Sequence, residues 1–362
     1  MKINGIAFRS VRLAHDGWRV EIFDQTKLPW QVETLTLTDE HLVAEAITTM
    51  RVRGAPLIGA VAAYGLALAV RRDPSDAAME AAATMLRATR PTAINLRWAL
   101  EKMLGALRNQ PREARAALAY QVAANICDDD VATCRSIGEH TLPLIRAAAA
   151  KGRAEILTHC NAGWLATVDY GTALSGIFQA YDAGIPVHVW VDETRPRNQG
   201  AALTAFELAA HGVPHTLIAD NAGGHLMQHG QVDMVIVGTD RVTRQGDVAN
   251  KIGTYLKALA ARDNNVPFHV ACPHSTIDWR VRDGVAEIPI EERGEAEVTD
   301  MTGQLQDGTV ARVRIANPGT RAANPAFDVT PARLVTSIIT ERGVTEASEA
   351  GLERLYPEHA AG

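Results

Sequence analysis

The chain is poor in cysteine: Cys127, Cys134, Cys160 and Cys272 are scattered over 362 residues, with no CxxC pair. That argues against a disulfide framework. With no signal-peptide apolar region between Met1 and Leu13, the expected compartment is cytoplasmic. No block of five basic residues occurs and the net charge is −6, which argues against nucleic acid as a partner. The longest apolar stretch, Ala55 to Val70, falls short of the ~20 residues of a membrane span. It reads as a buried helix, and no membrane partner is expected. Gly171 to Gly176 lacks the Lys-Ser/Thr ending of a P-loop, and no GxGxxG follows a strand, so a dinucleotide cofactor is unsupported. His211 and His215 are separated by Gly212 and Pro214, and His225 and His229 have no evident third ligand. No metal site is expected.

What is present is an ordinary globular composition, 47% hydrophobic and 22% charged, long enough for two domains. Trp18–Phe23 and Val32–Leu37 alternate apolar and polar side chains and predict a small hairpin or meander. Helices are predicted over Asp39–Met50 with Thr38 as N-cap, Pro56–Arg71, Asp73–Ala88, Ala93–Leu107 with Thr92 as N-cap, Pro111–Cys134 and Ile137–Ala149. Beyond Lys151-Gly152, short apolar runs alternate with helical periodicity: Glu155–His159, Val187–Val191, Thr216–Ile218, Met234–Val237 and Phe268–Ala271. That rhythm predicts βα units around a mostly parallel sheet. Val310–Ile315 reads as a further strand, and Thr330-Pro331 as the cap of a last pair of helices. The fold class expected is α/β, with a mainly helical N-terminal domain carrying a small β element (1–130) and a Rossmann-like parallel-sheet C-terminal domain (131–362).

Ligands of open parallel sheets sit at the carboxyl ends of the strands, and four polar clusters follow strand candidates. In Thr158-His159-Cys160-Asn161-Ala162-Gly163, Cys160 reads either as a buried structural cysteine or as a thiol at a cleft, its pKa lowered by a following helix N-terminus. Asp192 to Gly200 crowds two acids, two arginines and two amides, including Gln199, into one loop. It is either a solvated ion-paired loop or a binder of phosphate and hydroxyls. Asp240 in Gly238-Thr239-Asp240-Arg241 is either a capping residue or a shielded general acid or base with a raised pKa. Asn250 and Lys251 are expected at a helix start, suited to a phosphate or ring oxygen. In the helical part, Arg53, Gly54 and Ala55 precede a helix start and form a candidate phosphate cradle, with Arg90-Pro91-Thr92 similar.

Together RGAPLIGA (53–60), RPTAINLRWAL (90–100), THCNAG (158–163), DETRPRNQGAALTAFEL (192–208), GTDRV (238–242), GDVANKIGTY (246–255), PIEER (289–293) and NPAFDVTPA (324–332) resemble the methylthioribose-1-phosphate isomerase family of methionine salvage. The superfamily also holds ribose-1,5-bisphosphate isomerases and regulatory subunits of the initiation-factor nucleotide exchange complex. The resemblance implies the two-domain fold above, a homodimer and no cofactor. It implies Cys160 and Asp240 as the catalytic pair, and substrate contacts from Arg53, Gly54, Ala55, Arg90, Gln199, Asn250 and Lys251. Thr239, where the family often has Ala, adds a hydroxyl beside Asp240. Pro273-His274-Ser275-Thr276 also departs from the usual small-residue pattern. The expected reaction is aldose–ketose isomerisation of 5-methylthioribose 1-phosphate. Ribose 1,5-bisphosphate and 5-deoxyribose 1-phosphate are rival substrates, and a non-catalytic sugar-phosphate or nucleotide sensor is the rival of another class.

Overall fold

The computed structural model describes residues 1–3, 6–90 and 93–360. Strands β1 (Val11–Leu13), β2 (Val20–Phe23) and β3 (Thr34–Leu37) form the expected antiparallel meander. Helices α1 (Glu40–Thr48), α2 (Ala55–Arg72), α3 (Asp76–Thr89) and α4 (Ile94–Leu107) follow. The cap of α1 is Asp39, not Thr38: its carboxylate accepts the N–H groups of His41 and Leu42, both at 2.9 Å. Pro91 and Thr92 lie outside the described residues. Every residue from Leu57 to Val70 is buried, as a helix apolar on all sides requires. α2 is the centre around which α1, α3, α4 and the next helix pack.

That next helix, α5, runs unbroken from Arg112 to Ala148. Two helices with a break near residues 135–136 are not what forms. Cys134, Ile137 and Gly138 are buried in one continuous helix, against α6 (Ala173–Asp182). The approach is close enough to require glycine on both sides. A Cβ on Gly138 would lie 2.3 Å from Ser175 Oγ, and one on Gly176 2.4 Å from Thr141 Cβ.

The remaining strands of the first half-sheet are β4 (Ala154–Thr158), β5 (Val187–Asp192) and β6 (His215–Ile218); helix α7 (Ala205–His211) lies between the last two. Helix α8 (Ala222–Gln228) leads to β7 (Met234–Val237). Then come β8 (Arg241–Thr243), β9 (Val248–Lys251), α9 (Thr254–Asp263), β10 (Phe268–Ala271), β11 (Ile277–Asp278), β12 (Asp300–Gln304), β13 (Val310–Arg314), β14 (Phe327–Thr330), β15 (Ser337–Thr340), β16 (Gly343–Thr345) and α10 (Glu349–Leu355). The main sheet has the order β16-β15-β10-β7-β4-β5-β6, parallel except for β16. A second sheet, β11-β8-β9-β14, stands beside it.

Of two further expectations, one holds and one fails. Val310–Ile315 does supply a strand, but it pairs only with β12 in a hairpin outside the main sheet. The pair of helices after Thr330-Pro331 is replaced by β15, β16 and the single short α10. Ser337–Thr340 is fully buried beside β10, where a short apolar run is stabilised as a strand.

The α5–α6 contact generates a prediction. Gly176→Val overpacks it and destabilises the fold by about 1–3 kcal/mol, read as a lowered midpoint in urea unfolding. An unchanged midpoint would show that α6 can move away from α5 without loss.

Candidate functional site

Strand order reverses direction between β4 and β7, the point where an open α/β sheet leaves a crevice. Cys160 follows β4, and Asp240 follows β7. The backbone at Cys160 is left-handed (φ 66°), as is that at Thr194 (φ 67°) just past β5. For residues other than glycine such conformations cost about 1–3 kcal/mol each and persist only where the surroundings enforce them. Here they enforce each other. The Cys160 N–H donates to Thr194 Oγ1 (2.8 Å), and that hydroxyl donates to the Asp192 carbonyl (3.0 Å). Asp220 accepts the N–H groups of Thr194 and Arg195, both at 2.7 Å. The Cys160 carbonyl accepts from Thr204 Oγ1 (2.7 Å), inside a π-helical turn spanning Gly200–Thr204.

Asp240 is half-buried, and its N–H donates to the Ala249 carbonyl of β9 (3.0 Å). This places it beside Asn250 and Lys251, which correct one expectation. They lie on β9, and the helix begins only at Thr254, after Gly253 turns the chain at φ 102°. The buried Lys251 ammonium donates to the Ala326 carbonyl (2.9 Å) and sits 4.5 Å from the centre of the Phe327 ring. Asn250 Nδ2 donates to Thr254 Oγ1 (3.0 Å). The Thr239 hydroxyl lies 2.8 Å from the Ala249 carbonyl and 2.9 Å from that of Arg241, so it serves the backbone of this turn.

Arg53 reaches across from the helical part. Its guanidinium donates to Asn161 Oδ1 (2.6 Å) and to the Asn161 carbonyl (2.8 Å). Asn161 Nδ2 in turn donates to Glu207 Oε1 (2.9 Å), and Glu207 also accepts the N–H groups of Trp164 (2.8 Å) and Leu165 (3.0 Å). Burial pushes the Glu207 carboxyl up to about 7, against the pull of these donors and of Arg53. Arg90 pairs with Glu291 (3.3 Å) while its Nε is buried without a partner. Gly54, Ala55, Arg90 and Asp240 line one narrow cavity of about 50 Å3, onto which the start of α2 opens with no side-chain cap. Arg53 and Gln199 line a second, of about 460 Å3, and Gln199 Oε1 is buried and unpartnered. Cys160, Asn250 and Lys251 are buried.

The charges act on one another. Burial pushes the Asp240 carboxyl above its ordinary range, with Lys251, Arg90 and Arg53 opposing the shift. Burial lowers Lys251, opposed by Cys160 and Asp240. The Cys160 thiol is raised by burial, opposed by Arg53 and Lys251, so the expected lowering is overturned. No α-helix follows Cys160 directly; the chain enters a 3-10 turn, Trp164–Ala166.

Sequence reasoning named no role for His159, Asn161, Asp192, Thr194, Glu207 or Lys257. All but Lys257 lie inside the quoted segments, so position was legible and partnership was not. His159, Asp192 and Asp220 form the one cluster among the described residues with metal-ligand proximity. Lys257 is its resident cation, 3.3 Å from Asp192 Oδ2 and donating to the Asp220 carbonyl.

Thr194→Val strips the Cys160 N–H of its acceptor. The expected loss is about 1–3 kcal/mol in urea unfolding, with Thr194→Ser restoring most of it. Equal stability of all three proteins would remove Thr194 from this account.

The sequence model of the Initiation factor 2 subunit family matches residues 51–347. Methylthioribose-1-phosphate isomerase of Methylobacterium nodulans is 65% identical over 359 residues, covering 99% of each chain. The protein of the same name from Gluconobacter oxydans is 65% identical over 363 residues, again 99% of each. Among solved structures, 5-methylthioribose 1-phosphate isomerase from Pyrococcus horikoshii OT3 has a TM-score of 0.83 at 39% identity, covering 97% of this chain and 96% of that one. Translation initiation factor eIF-2B, subunit delta, from A. fulgidus has a TM-score of 0.80 at 37% identity, covering 97% of this chain and 100% of that one. With full-length identity of this order, the chain belongs to the methylthioribose-1-phosphate isomerases, within the Initiation factor 2 subunit family.

Proposed function

We propose that the chain is an isomerase converting 5-methylthioribose 1-phosphate to 5-methylthioribulose 1-phosphate. The observation that carries this reading is the placing of a buried thiol, Cys160, and a half-buried carboxyl, Asp240, at a sheet switch point where the cations Arg53 and Lys251 act on both. The substrate sets a specific problem. Its anomeric oxygen is esterified, so ring opening must break the bond from C1 to the ring oxygen while phosphate stays on C1. Hydrogen must then pass from C2 to C1, and the C2 hydroxyl must lose its proton.

Asp240 is assigned the proton donated to the ring oxygen, and afterwards the proton taken from the C2 hydroxyl. Burial supports this double role, because a carboxyl raised above its ordinary range exists in both forms nearer neutral pH. The phosphate is assigned to the uncapped start of α2 at Gly54 and Ala55, with Arg53, Arg90 and Lys251. The unpartnered Arg90 Nε supports that placement. Gln199 and Asn250 orient hydroxyls, and the orphaned Gln199 Oε1 is a ready acceptor. Cys160, uncharged because burial raises its thiol, faces C1–C2. There it either walls a dry pocket in which hydride shifts directly or, once its thiol has lost its proton beside Arg53 and Lys251, takes the C2 proton and returns it to C1 through an enediol-like intermediate. Neither route calls for a metal or organic cofactor. Three further parts belong to the same reading: a homodimer, which rests on the family resemblance; the division at 130/131, which rests on the change of pattern along the sequence; and a cytoplasmic location, which rests on the scattered, unpaired cysteines.

The test is an NMR time course with 5-methylthioribose 1-phosphate, in which the C2 ketone appears. Its absence with folded protein would reject the assignment. Cys160→Ser and Asp240→Asn each lower kcat by about 10²–10⁴-fold with the fold intact; near-normal turnover in either removes that residue's role. Deuterium at C2 separates the routes: full retention at C1 in water sinks the exchanging one. Because the Asp240 pKa is raised, its acid form persists to higher pH than an ordinary carboxyl. The acid step is therefore lost as pH rises through that value, and the alkaline limb of the kcat profile reports it.

A further inference from the structure

The catalytic groups assigned above stand on two different sheets. Cys160 extends β4 of the main sheet, whereas Asn250 and Lys251 end β9 of the second. One buried side chain spans the two. His159 Nδ1 lies 2.8 Å from Asp192 Oδ2 at the end of β5, and its Nε2 lies 2.9 Å from the carbonyl of Ile252, the residue after Lys251. Both the imidazole and the Asp192 carboxylate are fully withdrawn from water.

A neutral imidazole has one N–H and one lone pair. The Ile252 carbonyl can only accept, so Nε2 carries the N–H that meets it. The proton between Nδ1 and Asp192 belongs to one or the other, since burial pushes that carboxyl above its ordinary range while His159 and Lys257 oppose the shift. In either arrangement both ring nitrogens are engaged, in a low-dielectric site where an unmade bond is costly. The carboxylates of Asp192, Asp220 and Asp328 gather around His159, with Lys257 the accompanying cation. Asp328 also fixes the turn that follows Ile252, accepting the N–H groups of Gly253 (2.7 Å) and Tyr255 (3.1 Å). A Cβ on Gly253 would lie 3.1 Å from the His159 ring, so the turn closes directly over the imidazole.

We propose that His159 is a positioning residue: its buried imidazole, bonded at both nitrogens, ties the Cys160 loop to the end of the strand bearing Lys251 and so sets the spacing of the two. It touches neither substrate nor reacting atoms. The inference rests on the isomerase reading for its catalytic consequence, while the bridge itself can be measured without turnover. Asp192 serves Cys160 along two routes, its carboxylate through His159 and its carbonyl through Thr194.

Two measurements on the full-length protein test it. In nitrogen-15 NMR of histidine-labelled protein at pH 7.5, the His159 ring, assigned by its loss in His159→Gln, is expected to show an Nε2 proton protected from exchange with solvent. A ring proton that exchanges as freely as a solvated imidazole's would overturn the proposal. In steady-state kinetics, His159→Gln is expected to lower kcat at least tenfold while KM stays within about threefold, because the amide bridges only one of the two partners. Unchanged kcat would also overturn it. If His159→Gln does not fold, Asp192→Ala keeps the ring and removes one of its two partners. It is then expected to speed exchange of the Nε2 proton and to lower kcat in the same sense, and a proton still protected with full kcat counts against the inference. Failure of the wild type to form ketone would reject the isomerase reading and leave the NMR result to decide this one.

Discussion

Withdrawing a guanidinium, an ammonium and a carboxyl from water costs several kcal/mol for each unless it meets a partner, and the local architecture answers that cost. Arg53 finds two oxygens of Asn161, Lys251 finds a carbonyl and an aromatic face, and Arg90 finds Glu291. None of the first two pairings is with a carboxylate. Their positive charge is therefore left to act on Cys160 and Asp240, which it steadies against desolvation. The polar groups that would otherwise be strained or orphaned are satisfied one step further back, by Glu207, Thr194, Asp192 and Asp220.

This layering explains the backbone of the site. A left-handed Cys160 turns the chain abruptly at the end of β4, and a left-handed Thr194 turns it at the end of β5. Each turn alone is unfavourable. Joined by one hydrogen bond, they hold the cysteine at the switch point, the place where open α/β sheets leave a crevice. The second sheet brings Asp240 and Lys251 to the same place, and the start of α2 supplies a helix N-terminus from the other core.

Much of the fold was legible in the sequence because its signals are local. The buried run at Ala55–Val70, the meander and the five short apolar runs of the parallel sheet each carry their own periodicity. The misreadings fall where tertiary packing outweighs local pattern. Residues 135–136 look like a break, but α5 continues because its neighbours Cys134 and Ile137 are buried by the fold. Val248–Lys251 has no alternation to mark it as a strand, since all four side chains are buried by later elements. The candidate site shows the same division. Cys160, Asp240, Arg53 and Lys251 stand out by residue type and place, and the structure gathers them. The pKa of Cys160 was not legible, because desolvation depends on what covers the thiol. Nor were the roles of Glu207 and His159, which rest on contacts with residues distant in sequence.

The long helix α5 has a consequence of its own. At 1.5 Å per residue its 37 residues make a rod of about 55 Å. One stretch, with Ala119, Ala123, Ile126 and Cys127, is built into the helical core, and another, with Ile137 and Ile145, into the core beneath the parallel sheet. Cutting the chain within that rod would strip apolar surface from both cores at once. The boundary between the two halves is thus a boundary between interiors and not between separable pieces, and an evolutionary exchange of one half would have to carry the rod with it.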